Sequence, residues 1–417
     1  MNFIGLVGIF LLLTTAVLLS KDRKAINLKT VGGAFFLQIG FAFLVLYVPT
    51  GQRALKSFSD GVSSVIDYAN NGVQFIFGDL ADFKLGFIFA IHVLPVIIFF
   101  SSFIAVLYHL GVMQIIIKMI GGSLRKVLHT SKTESLSATA NIFVGHTEAP
   151  LVIRPYLATM TDSELFAVMT GGLASIAGTV LAGYAQMGVQ IDILVAASFM
   201  SAPGGLLMAK LMHPETETIE SNVEDVNELK TAVNVVEAAA SGASSGMQLA
   251  LNIGAMLLAF IGLIALLNGI LGGLGGLFGY EGLSLQLIFG WVFAPVAYII
   301  GIPWDEAFVA GSLIGQKIVF NEFIAFQSLA PYMMDIAEGG QLVAETGLPM
   351  TEKTKLILCF SLCGFANIGS VAILLGGIGT MAPNRRSDIA RLGFRAVIAG
   401  SLSNLMSATI AGLIFLV

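Results

Sequence analysis

Along the chain, apolar runs long enough to cross a membrane alternate with short polar or basic interruptions. Such runs lie at 3–20, 31–48, 85–110, 164–186, 190–210, 245–271, 356–379 and 396–417. A helix needs on the order of twenty apolar residues to span hydrocarbon, so the pattern predicts eight spans. Two segments break it. Residues 133–160 are apolar at their ends but polar at the centre, where Asn-Ile-Phe-Val-Gly-His-Thr-Glu occupies 141–148. Residues 303–334 repeat the design, with Asn321 and Glu322 inside the apolar run 314–326. Irregular backbone at membrane depth is tolerated only where protein or a cavity covers it, so both segments are predicted to be re-entrant hairpins. Residues 52–80 are mixed, with Arg53, Lys56, Asp60, Asp67 and Asp79, and predict an interfacial helix rather than a span; residues 112–130 carry Lys118, Arg125, Lys126 and His129 on one side of an apolar pattern and predict a cytoplasmic amphipathic helix. The run 285–302 is apolar and fits an interfacial or a membrane-immersed helix. The glycine run 269–279 is expected to loosen the chain, residues 335–352 to form an outer loop, and residues 212–240 to form a solvated acidic linker with Glu215, Glu217, Glu220, Glu224, Asp225 and Glu228.

A second correspondence links the halves. Gly172-Leu-Ala-Ser-Ile-Ala-Gly178 aligns with Gly364-Phe-Ala-Asn-Ile-Gly-Ser370, with three identities in seven positions. Each predicts a spanning helix broken by glycine and a small polar residue, so one unit of hairpin plus broken helix occurs twice. Basic residues orient it. Lys21, Arg23, Lys24 and Lys29 follow the first run, and Arg385, Arg386, Arg391 and Arg395 precede the last. By the excess of cationic residues on the cytoplasmic side, both termini are expected outside. Lys132 and Arg154 flank the first hairpin, so it opens from the cytoplasm; the second opens from outside. The repeats are then inverted, an arrangement that permits alternating access to a site near the midplane.

Composition strengthens the membrane reading. The 417 residues are 56% hydrophobic and 11% charged, against about 25% charged in soluble domains. The mean hydropathy is +0.89. A formal charge of −5 argues against nucleic acid, which requires a basic face. The run 3–20 has no basic residue before it and no small-residue cleavage site, so it is expected to span rather than to be cleaved. Cys359 and Cys363, four apart in an apolar helix, fit small packing residues. The 47 glycines suit close helix contacts in a bilayer.

The candidate chemistry lies at the hairpin tips and helix breaks. Glu148 and Glu322 are intramembrane carboxylates, costly unless bonded and therefore flagged for function. They fit acceptors for the hydroxyls or amines of a polar solute, a structural pair on backbone amides, or a proton relay. Asn367 and Ser370, three apart, share a helical face and suit a polyol such as ribose, or a polar cap on the break. Asn141 with Ser175 and nearby carbonyls offers oxygen ligands only, the kind hard cations take. His146 fits a hydrogen-bonding group or a proton sensor. No His-Glu-x-x-His, Gly-x-Ser-x-Gly or Asp-Asp pattern supports a membrane-embedded hydrolase, and a channel is distinguished from a carrier by whether flux saturates.

At 141–150 (Asn-Ile-Phe-Val-Gly-His-Thr-Glu-Ala-Pro), 171–178 (Gly-Gly-Leu-Ala-Ser-Ile-Ala-Gly), 321–323 (Asn-Glu-Phe) and 363–367 (Cys-Gly-Phe-Ala-Asn) the sequence resembles a concentrative nucleoside transporter. Residues 23–33 resemble its bacterial branch, and the retained Asn141 and Ser175 favour the sodium-coupled members. The resemblance covers nearly the whole chain. It implies an all-α polytopic homotrimer in the bacterial inner membrane, with a scaffold and a mobile transport domain, importing nucleosides of the uridine, cytidine and adenosine type with Na⁺ and no organic cofactor. The domain division it implies is 1–110 scaffold, 111–210 transport (first repeat), 211–282 linker and long scaffold span, and 283–417 transport (second repeat). Base contacts would fall to His146, Thr147 and Glu148, with apolar contacts from Val180, Phe365 and Leu251. Ribose would fall to Glu322, Asn367 and Ser370. The sodium site would take the Asn141 and Ser175 side chains and the Val144 and Ile176 carbonyls. The family usually has Gln where this chain has His146, which leaves base preference open, and some relatives use protons, which leaves proton coupling as the alternative.

Overall fold

The computed structural model describes residues 2–82, 85–217, 232–280, 282–334 and 339–415. Helix α1 (Asn2–Leu18) ends before the basic loop, and α2 (Leu28–Leu46) starts where the Asn27 side chain accepts from the Lys29 and Thr30 amides. The interfacial helix predicted at 52–80 is α3 (Pro49–Phe77), which stops at Gly78, where φ is +55°. A short α4 (Phe89–His92) is offset from α5 (Leu94–His109) just before Pro95, which has no amide to continue the ladder. The amphipathic helix predicted at 112–130 is α6 (Val112–Leu128), which buries Met113, Ile117 and Leu128 and exposes Ile115 and Met119.

The first predicted hairpin consists of α7 (Lys132–Ala140), a turn through 141–148 and a 3-10 segment (Ala149–Tyr156). A capping box of Ser131 and Glu134 starts α7, and a second, Thr161 with Glu164, starts α8 (Asp162–Ala174). After a break at 175–177 comes α9 (Gly178–Gln186), then α10 (Ile191–Met212). Glu220, Glu224, Asp225 and Glu228 of the acidic linker lie outside the described residues.

Helix α11 (Val235–Leu277) is 43 residues long and corrects the expectation for the glycine run: residues 269–276 are helical. Glycine weakens helices chiefly in water, whereas in a bilayer every backbone group must bond internally. Gly275 also lets the returning chain pack close, because a Cβ there would lie 2.4 Å from the Tyr280 carbonyl oxygen. The chain continues with α12 (Leu285–Ile299), bent by 117° from α13 (Trp304–Val319), and α14 (Glu322–Met333). Helices α12 and α13 touch along their length, so close that a Cβ at Gly311 would lie 2.5 Å from the Ala294 amide nitrogen. Within the predicted outer loop a two-residue ladder pairs β1 (Leu342–Val343) with β2 (Leu348–Pro349), the one departure from all-α structure among the described residues. The second broken helix is α15 (Glu352–Leu362) and α16 (Ser370–Met381), and α17 (Arg386–Ile414) follows, starting ten residues before the predicted 396.

By length and apolarity, six helices among the described residues can cross a membrane, or seven if the bent pair α12–α13 counts as one. The predicted spans at 3–20 and 356–379 fall short for physical reasons: α1 has 17 residues, and the other is split into α15 and α16. The protein is a nearly all-helical, multi-pass membrane protein. Its centre is α10 and α17, packed on each other and on α8. Helices α1 and α2 also pack on α10 and α17, whereas α5 packs on α11.

Candidate functional site

The first hairpin tip is threaded between both broken helices by close backbone contacts. The Gly178 amide donates to the Phe143 carbonyl at 3.0 Å, and a Cβ at Gly178 would lie 2.5 Å from that oxygen. Across the break, in the last turn of α8, a Cβ at Gly172 would lie 2.6 Å from the His146 Cβ. On the other side, Thr147 packs its methyl on Gly377 of α16, and the His146 ring lies 4.7 Å from the Phe365 ring at a tilt of 54°. The two breaks also bond directly, because the Phe365 amide donates to the Ser175 carbonyl at 3.1 Å. The tip itself is closed by the Glu148 carboxylate, which accepts from the Gly145 amide at 3.3 Å.

Around the second tip, Asn321 accepts from the Ile324 amide at 2.9 Å and so caps α14. Glu322 accepts from the Tyr184 hydroxyl at 3.1 Å and from the Asn367 amide at 3.4 Å. Asn367 in turn accepts from the Ser370 amide at 3.0 Å, and the Ser370 hydroxyl donates to the Phe365 carbonyl at 2.5 Å. The Ile368 amide donates to Ile318 at 3.0 Å and fastens the break to α13. Thus Glu322, Asn367 and Ser370 come together as the sequence predicts, and Asn367 with Ser370 also closes the break, as a polar cap does.

The cation candidates are placed differently. Asn141 is buried beside Gly171 and Gly172, with its carboxamide 3.4 to 3.6 Å from where their Cβ atoms would be. Among the described residues neither end of that carboxamide has a hydrogen-bond partner, and the same holds for both ring nitrogens of buried His146. The Ser175 hydroxyl donates to Gly172 at 3.2 Å and keeps its lone pairs. No backbone amide among the described residues donates to the Val144 or Ile176 carbonyl. An orphaned amide oxygen, a hydroxyl and free carbonyls are neutral hard donors, a set that fits a monovalent hard cation better than a soft metal.

Val180 is buried in the first turn of α9, just past the break. Leu251 is not brought to this cluster: it is 59% exposed on α11, whereas every other candidate is buried or half-buried. Sequence reasoning missed three residues. Tyr184 donates to Glu322 with its ring between Phe323 (4.9 Å) and Phe326 (4.7 Å). Lys317 and Asn404, both buried, bond to each other at 2.9 Å. A signal existed for Lys317, since a lone lysine in an apolar run is as flagged as a lone glutamate. Asn404 and Tyr184 carried none.

Comparison with known proteins gives one answer across the chain. A profile described as the C-terminus of Na⁺-dependent nucleoside transporters matches residues 193–412, its N-terminal counterpart matches 7–80, and a nucleoside-recognition profile matches 90–190. The chain is 58% identical over 412 residues to an uncharacterized transporter of Haemophilus influenzae, covering 98% of this chain and 97% of that one. It is 51% identical over 418 residues to the nucleoside permease NupC of Helicobacter pylori, covering 99% and 97%. To sodium/nucleoside cotransporter 1 of Mus musculus it is 38% identical over 417 residues, covering 99% and 64%. Among solved structures, it superposes on CNTnw in an inward-facing, substrate-bound state with a TM-score of 0.93, at 56% identity and with 99% and 98% coverage. It superposes on an outward-facing CNTnw variant with a TM-score of 0.92, also at 56% identity, covering 99% and 97%.

Proposed function

The chain belongs to the concentrative, Na⁺-dependent nucleoside transporter family, and from that premise we propose that it imports uridine-, cytidine- and adenosine-type nucleosides on an inward sodium gradient. It is a transporter, not an enzyme. One observation carries the sodium and base assignments: Asn141 and His146 are buried polar side chains without hydrogen-bond partners among the described residues, at the meeting point of two broken helices. Leaving a buried polar group unbonded costs about 1–3 kcal/mol, which ligands would offset. Sodium sits on Asn141, Ser175 and the Val144 and Ile176 carbonyls. The base lies by His146, Thr147 and Glu148 against Val180 and Phe365, and the ribose on Glu322, Asn367 and Ser370. Leu251, exposed on α11, is left out.

Alternating access moves this site as one body, in an elevator. Support comes from the order hairpin, broken helix, long helix, which occurs twice, from α7 to α10 and from α13 to α17, and from relatives solved facing inward and outward. If the repeats are inverted, as the flanking basic residues argue, the two facings are near-mirror states. Because α1 and α2 pack on α10 and α17, they travel with the transport unit in this reading, which leaves α5 and α11 as the scaffold and α3, packed on α2, α10 and α5, at the boundary. Helix α11 exposes Leu258, Leu263 and Leu266, a face that lipid and the neighbouring subunits of a homotrimer would share. Both termini lie outside the bacterial inner membrane.

The test is labelled-uridine uptake into proteoliposomes. Uptake saturates and requires an inward Na⁺ gradient. Full uptake on a pH gradient alone would replace sodium with protons, and flux linear in uridine up to its solubility would make the protein a channel.

A further inference from the structure

Asn404 on α17 stands between the two helix breaks and bonds to both. Its amide nitrogen donates to the Ala174 carbonyl at 2.6 Å and to the Cys363 carbonyl at 2.7 Å. These two residues end α8 and lead out of α15, so their carbonyls are among those a helix terminus leaves unpaired. The fit is tight, since a Cβ at Gly364 would lie 2.4 Å from the Asn404 Oδ1. That oxygen accepts from the Lys317 Nζ at 2.9 Å. An asparagine can sit either way round, but a lysine ammonium only donates and the two carbonyls only accept, so Lys317 at one end and the carbonyls at the other hold the carboxamide in a single orientation.

Each bonded carbonyl abuts one half of the proposed site. Ala174 precedes Ser175 and Ile176, assigned to sodium, and Cys363 leads into Phe365 and Asn367, assigned to the nucleoside. We propose that Asn404, oriented by Lys317, is the positioning residue that couples sodium to nucleoside by holding both helix breaks on one carboxamide. Neither residue is among the proposed ligands, and the inference rests on the sodium-coupled reading above. A shift of the first break on ion binding reaches the second through two short bonds to a single rigid group, in parallel with the bond from the Phe365 amide to Ser175.

The experiment is uridine binding to purified full-length protein without Na⁺ and with saturating Na⁺, the ratio of the two Kd values being the coupling factor. Lys317→Met keeps the chain length and removes the donor; Lys317→Gln keeps an N–H donor and removes the charge. Linked sites usually couple by about 5- to 150-fold, so Lys317→Met is expected to lower the factor by at least about five-fold, while Lys317→Gln stays within about two-fold of wild type. If Lys317→Met does not yield folded protein, Asn404→Ser, whose shorter hydroxyl has one hydrogen and so cannot hold both carbonyls, is expected to lower the factor in the same way. The proposal is overturned if the variants weaken both Kd values equally and leave the factor intact, which is a structural role. It is also overturned if Lys317→Gln falls as far as Lys317→Met, which makes charge rather than orientation the agent. A wild-type factor of one overturns the sodium reading itself and this proposal with it, so the two failures are distinct.

Discussion

The two hairpin tips carry the same pair of residue types, an asparagine and a glutamate, in opposite states of satisfaction. At the second tip, Glu322 is bonded by Tyr184 and Asn367, Asn321 caps α14, and Asn367 holds the Ser370 amide. At the first, Glu148 has one backbone bond, and Asn141 and His146 have no partners among the described residues. Two buried tips of like composition should be satisfied alike if their polar groups served only the fold. The difference separates a site half assembled by the protein from a half that depends on what it binds. Changes at the second tip should therefore cost structure and affinity together, and changes at the first should cost function alone.

The largest expected effect is at the second tip. Glu322→Ala strips the acceptor from the Tyr184 hydroxyl and the Asn367 amide, leaving two buried donors unpaired. We expect uridine affinity to fall by about 3 kcal/mol, roughly 100-fold, and the thermal midpoint to drop with it. Glu148→Ala should cost less of both. A larger loss of thermal stability in Glu148→Ala would erase the comparison. The ribose assignment adds a substrate-side test, because a site built to bond a hydroxyl penalises its absence. Dideoxyuridine should compete with labelled uridine more weakly by about 1–3 kcal/mol, free uracil should compete poorly, and Glu322→Gln should narrow the dideoxy penalty while the protein still folds. Equal competition by uridine and dideoxyuridine in wild type would remove ribose from Glu322.

Next comes Asn141→Ala. Among the described residues its carboxamide has no partner to lose, so thermal stability without Na⁺ should hold, while the Na⁺-dependent gain in uridine affinity should shrink by about 1–3 kcal/mol. Binding and melting scans across a Na⁺ series read both quantities. A variant that melts early yet keeps its sodium response would make Asn141 structural, like Asn321 at the other tip.

The sequence made the tips and breaks legible because polar residues inside apolar runs are conspicuous against hydrocarbon, and because Gly172–Gly178 and Gly364–Ser370 repeat. The satisfaction of those groups was not legible. Tyr184 lies 138 residues from Glu322, and Asn404 lies 230 from Ala174; a lone tyrosine in the short α9, or one amide among the serines of the long α17, announces no partner. The glycine run departs from its expected looseness because that effect belongs to water: α11 continues through it as far as Leu277, and only Phe278 and Gly279 turn out of the helix. The start of α17 was set too late because Arg385 and Arg391 looked like a loop boundary, whereas they pair with Asp162 and Asp388 at the first turns of α8 and α17.

The smallest effect, and the sharpest use of the comparison, is expected at His146. The ring rests on Phe365 and against Gly172, so its place is fixed by packing, while both nitrogens lack partners among the described residues. A neutral imidazole offers one donor and one acceptor; glutamine offers both kinds at a longer reach and from one flexible amide. His146→Gln should therefore leave stability unchanged and keep uridine uptake within a few-fold, since no existing bond is broken. What should move is discrimination. A pocket that pairs with a base edge rejects the wrong edge by about 1–3 kcal/mol per mismatched hydrogen bond, and exchanging the reader shifts which edge is matched. The ratio of adenosine to uridine affinity, measured by competition in wild type and variant, should change by several-fold while the sodium dependence of each stays the same. A ratio that holds across uridine, cytidine and adenosine would put His146 outside the base pocket, and its unpartnered nitrogens would then need another ligand to explain them.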